Sequence, residues 1–571
     1  MPQDTSHTGI NNKAVPQHTY DAIVVGSGIT GGWAAKELCE KGLKTLLLER
    51  GKNVEHIKDY TTTSKEPWEF PHRGSLTPQE KQNYPIQTRH YSIREDNKHF
   101  YILDKENPYN EIQRYDWVRG DILGGRSVLW GRMCYRWSDF DFNANLKDGA
   151  GTDWPIRYRD IAPWYDYAER FTGISGNRDG LPELPDGQFQ SPMEMNCVEE
   201  YAKKQIEEKF PGRKLTIGRV ANLTQQLPGR GACQYRNLCH RGCPFGAYFS
   251  TQSSTLPAAQ KTGNLSVQCG MLVNKVIYDV KKEKAIGVEV LDRDSLKTYE
   301  YYARVIFLNA ATLGTTFLLL NSTSSRFPNG LGNDNDIVGR HLMDHHKSGG
   351  ISASIEGFED KYYFGRRPTG IYVPRFKNMD EKTKQKDYLR GFGYQGGAGR
   401  RGGNRNAEIG EALKEAMTEP GSWNIGFGAY GECLPYAENR VTLNTDIKDK
   451  WGRPTLNIDC SFKDNEKKMR EDAIETAKEM LEAIGGKDIR AEGSMSFPGN
   501  ANHEMGTAKM GNDPKTSVLN KWNQLHAVKN VFVTDGSCMV SSSCVNPSLT
   551  YMALTARACD YAVSELKKGN L

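Results

Sequence analysis

Hydrophobic and polar positions follow different periods in successive segments of this chain. Residues 22–25 are an apolar run, 26–31 a glycine-rich turn, 32–41 a helix-like repeat and 45–48 a second apolar run. That order predicts strand, turn, helix, strand. From 265 to 290 apolar and polar residues alternate around a turn at 281–284, the pattern of two paired strands. Residues 305–320 predict a buried strand running into a helix. Residues 347–458 break into short strand-like pieces (350–355, 370–373, 440–443) between charged loops, which suits a separate antiparallel sheet. Residues 465–484 form an amphipathic helix, with Met469, Ile474, Ala477, Met480, Leu481 and Ile484 on one face. Residues 55–114 are polar and rich in Tyr, as expected of long surface excursions. No internal repeat is present.

Composition narrows the function classes. With 571 residues, of which 37% are hydrophobic, the chain can bury more than one core. Its 75 basic and 70 acidic residues leave a net charge of +5, which argues against nucleic acid as the main partner. The Gly/Arg-rich segment 393–406 reads as a mobile surface loop rather than an RNA-binding tract. Twelve cysteines without regular spacing argue against a disulfide framework. Residues 1–20 lack the basic and apolar regions of a signal peptide. Residues 305–320 are too short and too polar to span a bilayer.

Chemistry enters at Gly26-Ser27-Gly28-Ile29-Thr30-Gly31, a G-x-G-x-x-G between the first strand and its helix. Gly26 permits a tight turn, Gly28 lets a pyrophosphate approach the backbone, and Gly31 allows close helix–strand packing. The helix N-terminus favours the phosphate charge. Glu49, followed by Arg50, ends the second strand where a carboxylate can accept from ribose hydroxyls. The motif predicts dinucleotide binding without separating NAD from FAD.

Further motifs, in order, make the chain resemble the glucose-methanol-choline (GMC) oxidoreductases from end to end. The turn 124–130 (GGRSVLW) is similar to that family's flavin-phosphate loop. Residues 264–267 leading to Val273 resemble its adenine-side strand, and 339–345 its entry to the substrate domain. Residues 533–537 (VTDGS) resemble the segment whose Asp meets the ribityl chain. The resemblance implies an α/β protein with a Rossmann-like FAD domain and a substrate domain carrying a mainly antiparallel sheet. It divides the chain into an FAD domain (1–60, 110–160, 250–345, 493–571), an insertion (161–249) and a substrate domain (346–492). It also implies FAD contacts from Thr30, Gly125, Ser127, Val273, Ala310, Asp535, Gly536, Asn546, Pro547 and Ser548. Some members link flavin covalently through a His in the glycine turn. Leu129 stands there, so non-covalent FAD is expected.

Flavin oxidation of a secondary alcohol removes the hydroxyl proton as the carbon's hydride leaves. A histidine suits the proton step, and a second polar group must orient the oxygen. The resemblance assigns these roles to His503 and Asn546. Asn before Pro is also ordinary turn chemistry, and His341, His345 and His346 read as structural.

Cys233, Cys239 and Cys243, spaced C-x5-C-x3-C-P, are candidate ligands of a [3Fe-4S] cluster, since three thiolates and a Cys-Pro end are familiar in such sites. The spacing resembles the sugar-dehydrogenase branch of the family. His240 keeps a zinc site open, and three free thiols remain the simplest alternative. The whole implies an FAD-dependent sugar or glycoside dehydrogenase, with C3 of a glucoside the best guess. Its electrons would pass through the cluster to a cytochrome c-type acceptor. A small signal-bearing subunit would carry it to the periplasm; otherwise it stays in the cytoplasm. The alternatives are an oxygen-using oxidase without a cluster and a non-redox lyase on the same fold.

Overall fold

The computed structural model describes residues 19–362, 365, 367–400, 409–491 and 493–571. The signal-peptide reading of 1–20 therefore falls almost entirely outside the described residues.

Strand Thr19–Val25 lies at the middle of a seven-stranded sheet. It pairs in parallel with Thr45–Glu49 on one side and Thr298–Leu308 on the other. Leu265–Cys269 extends the parallel part beyond Thr45–Glu49, and Val531–Val533 pairs with Thr298–Leu308. Strands covered on both faces read as unbroken apolar runs rather than alternating ones, which is why 22–25 and 305–308 are so apolar. The alternating region holds three strands, because Gly270 breaks Leu265–Cys269 from Met271–Asp279 before the antiparallel partner Lys284–Asp292. Helix Ile29–Glu40 packs against the C-terminal helix Ser548–Lys567, so both chain ends build this layer.

A second sheet is wholly antiparallel, in the order Lys487–Ala491, His346–Ile355, Trp423–Gly431, Phe392–Arg400, Ile371–Val373, Thr216–Ile217. Helix Asp464–Ala483 lies against it through Met469, Ala473, Ala477, Met480 and Leu481. Burying each of Met469, Met480 and Leu481 contributes about 1.5–3 kcal/mol.

Two expectations fail here. Residues 392–400 are a strand inside the second sheet, not a surface loop; 401–408 lie outside the described residues. The glycines are needed for close strand approach: a Cβ at Gly396 would stand 2.2 Å from the Gly426 carbonyl oxygen. Strand Arg440–Lys448 belongs to neither large sheet. It forms a small one with Pro454–Asp459 and Asn110–Glu111.

Candidate active site

The two glycine turns meet at the carboxyl ends of the parallel strands. Gly26 has φ +90°, and a Cβ there would reach 2.4 Å from the Asn309 carbonyl oxygen. Gly31 is packed under the turn, where a Cβ would lie 1.7 Å from the Gly26 oxygen. Gly28, by contrast, has no atom within 4 Å of where its Cβ would sit. Gly125 faces it, its own Cβ position being 3.5 Å from the Gly28 Cα. Ser27 ties the turns together: its hydroxyl accepts from Gly124 N at 2.7 Å and donates to Glu49 at 2.5 Å. Glu49 also accepts from Ser27 N and Gly51 N, so it braces the turn while facing the cavity. Burial raises its carboxyl above the usual range.

These turns open on a cavity of about 620 Å³. Gly26, Gly28, Thr30, Glu49, Arg50, Gly125 and Ser127 line it from one side. Val273, Ala310, Asp535, Gly536, Pro547 and Ser548 line it from the others, and His503 and Asn546 stand in its wall. Gly31 alone of the predicted cofactor residues is not in the lining. Its place beneath the turn is the one close helix–strand packing requires.

The donor set fits FAD. Gly28 and Gly125 leave an open cradle where phosphates approach backbone N–H groups at the start of helix Ile29–Glu40. Asn309 lines the cavity with its buried Nδ2 without a hydrogen-bond partner. Ser548, at the N-terminus of Ser548–Lys567, also faces in. Such a terminus favours negative charge.

His503 is held at backbone and ring. The Asp344 carboxylate accepts from His503 N at 3.0 Å and Ala501 N at 3.1 Å. His503 Nδ1 lies 2.9 Å from His345 Nδ1, the rings meeting edge to face at 79°. On the other side, Nε2 lies 3.3 Å from Asn546 Nδ2. Gln395 Nε2 donates to Asn546 Oδ1 at 2.7 Å. Burial first, then the neighbouring His345, Lys347 and Arg126, hold the His503 imidazole well below its ordinary range. The ring is therefore neutral at physiological pH.

Around the pair stand residues that sequence reasoning did not single out. Lys347 donates to the Asn500 carbonyl at 2.8 Å and stands over the rings of Tyr91 and Tyr430. Burial pushes its ammonium down. His90 and Tyr91 line the cavity from the segment read as a surface excursion, in which Tyr60, Phe100, Tyr101 and Ile102 are in fact buried. That segment holds 3-10 turns, one six-residue helix (Pro78–Asn83) and a two-residue strand (Asn110–Glu111), too short for a periodicity to mark it. His345, read as structural, touches the catalytic candidate.

The cysteine loop borders the same cavity through Asn237, Cys239 and His240. Cys233 and Cys243 are partly buried behind it, and the Cys233 thiol is pushed up by burial and by the other two thiols. His240 directs Nε2 to Asp96, 3.0 Å away. Among the described residues no three His, Cys, Asp or Glu side chains converge as a metal site. The loop therefore supplies a cluster's donor type without, in this arrangement, its cage.

Residues 20–347 match the N-terminal part of the GMC oxidoreductase family, and residues 435–555 match its C-terminal part. The chain is a GMC oxidoreductase. It is 26% identical to the fructose dehydrogenase large subunit of Gluconobacter japonicus, over 96% of this chain and 98% of that one. It is 28% identical to 2-methyl-1,2-propanediol dehydrogenase of Mycolicibacterium austroafricanum (95% and 94%) and 25% identical to paromamine 6'-oxidase of Streptomyces fradiae (99% and 97%). Among solved structures, a formate oxidase from Aspergillus oryzae superposes with a TM-score of 0.61 at 15% identity, covering 97% of this chain and 100% of that chain. A pyridoxine 4-oxidase from Mesorbium loti gives 0.59, also at 15%, covering 95% and 98%. These two share the fold. The family and the site make this GMC oxidoreductase an FAD-dependent enzyme acting on CH–OH donors. No helix among the described residues is long and apolar enough to cross a membrane.

Proposed function

We propose that the enzyme oxidises a secondary hydroxyl of a sugar or glycoside to a ketone, with C3 of a glucoside the first position to test. The observation that carries this is the fork formed by His503 Nε2 and Asn546 Nδ2, 3.3 Å apart in the cavity wall. A hydroxyl has one proton to give and an oxygen that accepts. His503 takes the proton at Nε2 while Asn546 Nδ2 donates to the oxygen, and Gln395 keeps the Asn546 amide facing that way. FAD, when bound, supplies the two-electron hydride acceptor. The Asp344 carboxylate, by fixing two backbone N–H groups, keeps the base from swinging out of line.

Anaerobic titration with glucose, methyl glucoside and lactose, followed by loss of the flavin's visible absorbance, tests this reading. Bleaching by at least one sugar supports it. A full panel of sugars and glycosides that leaves the flavin oxidised would overturn it.

For the electron acceptor, our reading is a one-electron protein partner of cytochrome c type, reached past the Cys239 edge of the cavity. Its supports are the loop's position and the resemblance to dehydrogenases built from several subunits, and export with a small signal-bearing subunit belongs to the same reading. Oxygen is the competing acceptor, because relatives that match 99% of the chain are named oxidases. Iron analysis and peroxide assay on the same preparation decide between them. About three irons per flavin favours a [3Fe-4S] cluster on Cys233, Cys239 and Cys243, and peroxide without iron favours the oxidase.

A further inference from the structure

His503 Nε2 is a useful base only if it carries no proton, and a neutral imidazole has two tautomers. The hydrogen bonds around the ring decide between them. His345 Nε2 lies 3.0 Å from the carbonyl oxygen of Ser542. A backbone carbonyl only accepts, so His345 Nε2 carries a hydrogen. Burial holds the His345 imidazole neutral, down to about 4, which leaves its Nδ1 as a lone-pair acceptor. The 2.9 Å contact between the two Nδ1 atoms then requires the hydrogen to sit on His503.

We propose that His345 is a positioning residue that locks His503 in the Nδ1–H tautomer and so reserves His503 Nε2 for the substrate proton. The inference rests on the reading of His503 as the base. The hydrogen bonds form one chain of fixed polarity: Gln395 donates to Asn546, Asn546 to His503, His503 to His345 and His345 to Ser542. Every amide and ring orientation follows from its carbonyl end. That end is anchored, because the Ser542 hydroxyl accepts from Cys433 N and donates to Cys433 O, both at 3.0 Å. Ser543, next in the chain, has φ +56°, a conformation that persists only where surroundings enforce it. His345 follows Asp344 directly, so one dipeptide holds the base by its backbone N–H and by its ring.

The chain also has a dead end. A proton accepted at His503 Nε2 gives an imidazolium whose Nδ1–H stays bonded to His345. The Ser542 carbonyl cannot pass a proton onward, so the proton leaves by the Nε2 side, where it arrived.

The test compares His345→Gln with His345→Leu. Glutamine can accept from His503 Nδ1–H through Oε1 and donate to Ser542 through Nε2, whereas leucine does neither. Solid-state NMR of protein labelled with 15N-histidine reads the tautomer directly, the His503 signals among the 12 histidines being assigned by their loss in His503→Gln. We expect a protonated Nδ1 and a bare Nε2 in the wild type and in His345→Gln, and a mixed or reversed pattern in His345→Leu. Anaerobic flavin reduction should fall in His345→Leu by up to about 10⁴-fold, the scale for a catalytic histidine held in the wrong tautomer, and recover in His345→Gln. Substrate affinity should move far less than the rate. A wild-type His503 protonated at Nε2, or wild-type reduction by a folded His345→Leu, would overturn the proposal. If His345→Leu does not fold, the wild-type spectrum and the His345→Gln rate decide alone. Unchanged reduction in His503→Ala would instead remove the base assignment and leave the tautomer result standing.

Discussion

Arg126 and Glu504 form a two-pronged ion pair, at 3.0 and 2.5 Å, between the flavin turn and the residue that follows His503. Glu504 is buried, and Arg126 is its ion-pair partner. The pair couples the cofactor cradle to the catalytic loop across 378 residues of sequence.

Removing one partner leaves a buried charge unpaired. Arg126→Met, which leaves the buried Glu504 without its partner, should lower stability by about 3 kcal/mol, the range for breaking such a pair. It should also weaken FAD retention, because the turn loses its clamp. The double variant Arg126→Met/Glu504→Leu should recover part of the stability. Thermal unfolding followed by protein and flavin fluorescence checks both; equal loss in single and double variants would contradict the pairing.

The glycines of the first turn should separate binding from folding. Gly28→Ala adds a methyl into space with no protein neighbour within 4 Å. The apoprotein should unfold at nearly the wild-type temperature while FAD is lost on desalting. Gly31→Ala drives a methyl to 1.7 Å from the Gly26 oxygen. It should destabilise the apoprotein itself, by about 1–3 kcal/mol, the cost of overpacking.

His346 gives a pH signature. It is fully buried beside Met469, its Nδ1 has no hydrogen-bond partner, and burial holds it down to about 3. Unfolding restores an ordinary histidine near 6.5, so the unfolded chain takes up the proton first as pH falls. Stability from keeping His346 neutral is therefore present above about 6.5 and is lost as pH drops, by about 2 kcal/mol between pH 7 and 5. In His346→Leu the fall in Tm over that interval should be smaller than in the wild type. An unchanged pH dependence would contradict this.

The nucleotide half of the fold was legible because its signal is local. Gly26, Gly28, Gly31 and Glu49 lie within 24 residues and each has a distinct geometric task. The middle of the chain hides its structure for a physical reason. In Phe392–Arg400 glycines serve a central strand, since Gly370 and Gly396 allow an approach in which a Cβ would stand 1.8 and 2.2 Å from the carbonyl oxygens of Gly396 and Gly426. The same composition in isolation reads as a loop. His503 and Asn546 were singled out through motifs, whereas His345 meets His503 from 158 residues away, and no local pattern encodes that contact. His90 and Tyr91 escaped for a related reason. They sit in turns without period, placed by packing rather than by sequence spacing.

In the proposed mechanism His503 removes the hydroxyl proton during flavin reduction. Anaerobic stopped-flow mixing of the sugar that bleaches wild-type flavin with His503→Ala, loaded with FAD, tests it most directly. Reduction should slow by roughly 10²–10⁴, the scale for a positioned general base, with FAD still bound. His503 should add no step to the wild-type pH–rate profile near neutral, because its depressed imidazole stays unprotonated until well below its ordinary range; a step near 7 or 8 would report Asp344, raised by burial to about 7, or Lys347, lowered by burial to about 8. A His503→Ala enzyme that reduces its flavin at near the wild-type rate would contradict the account.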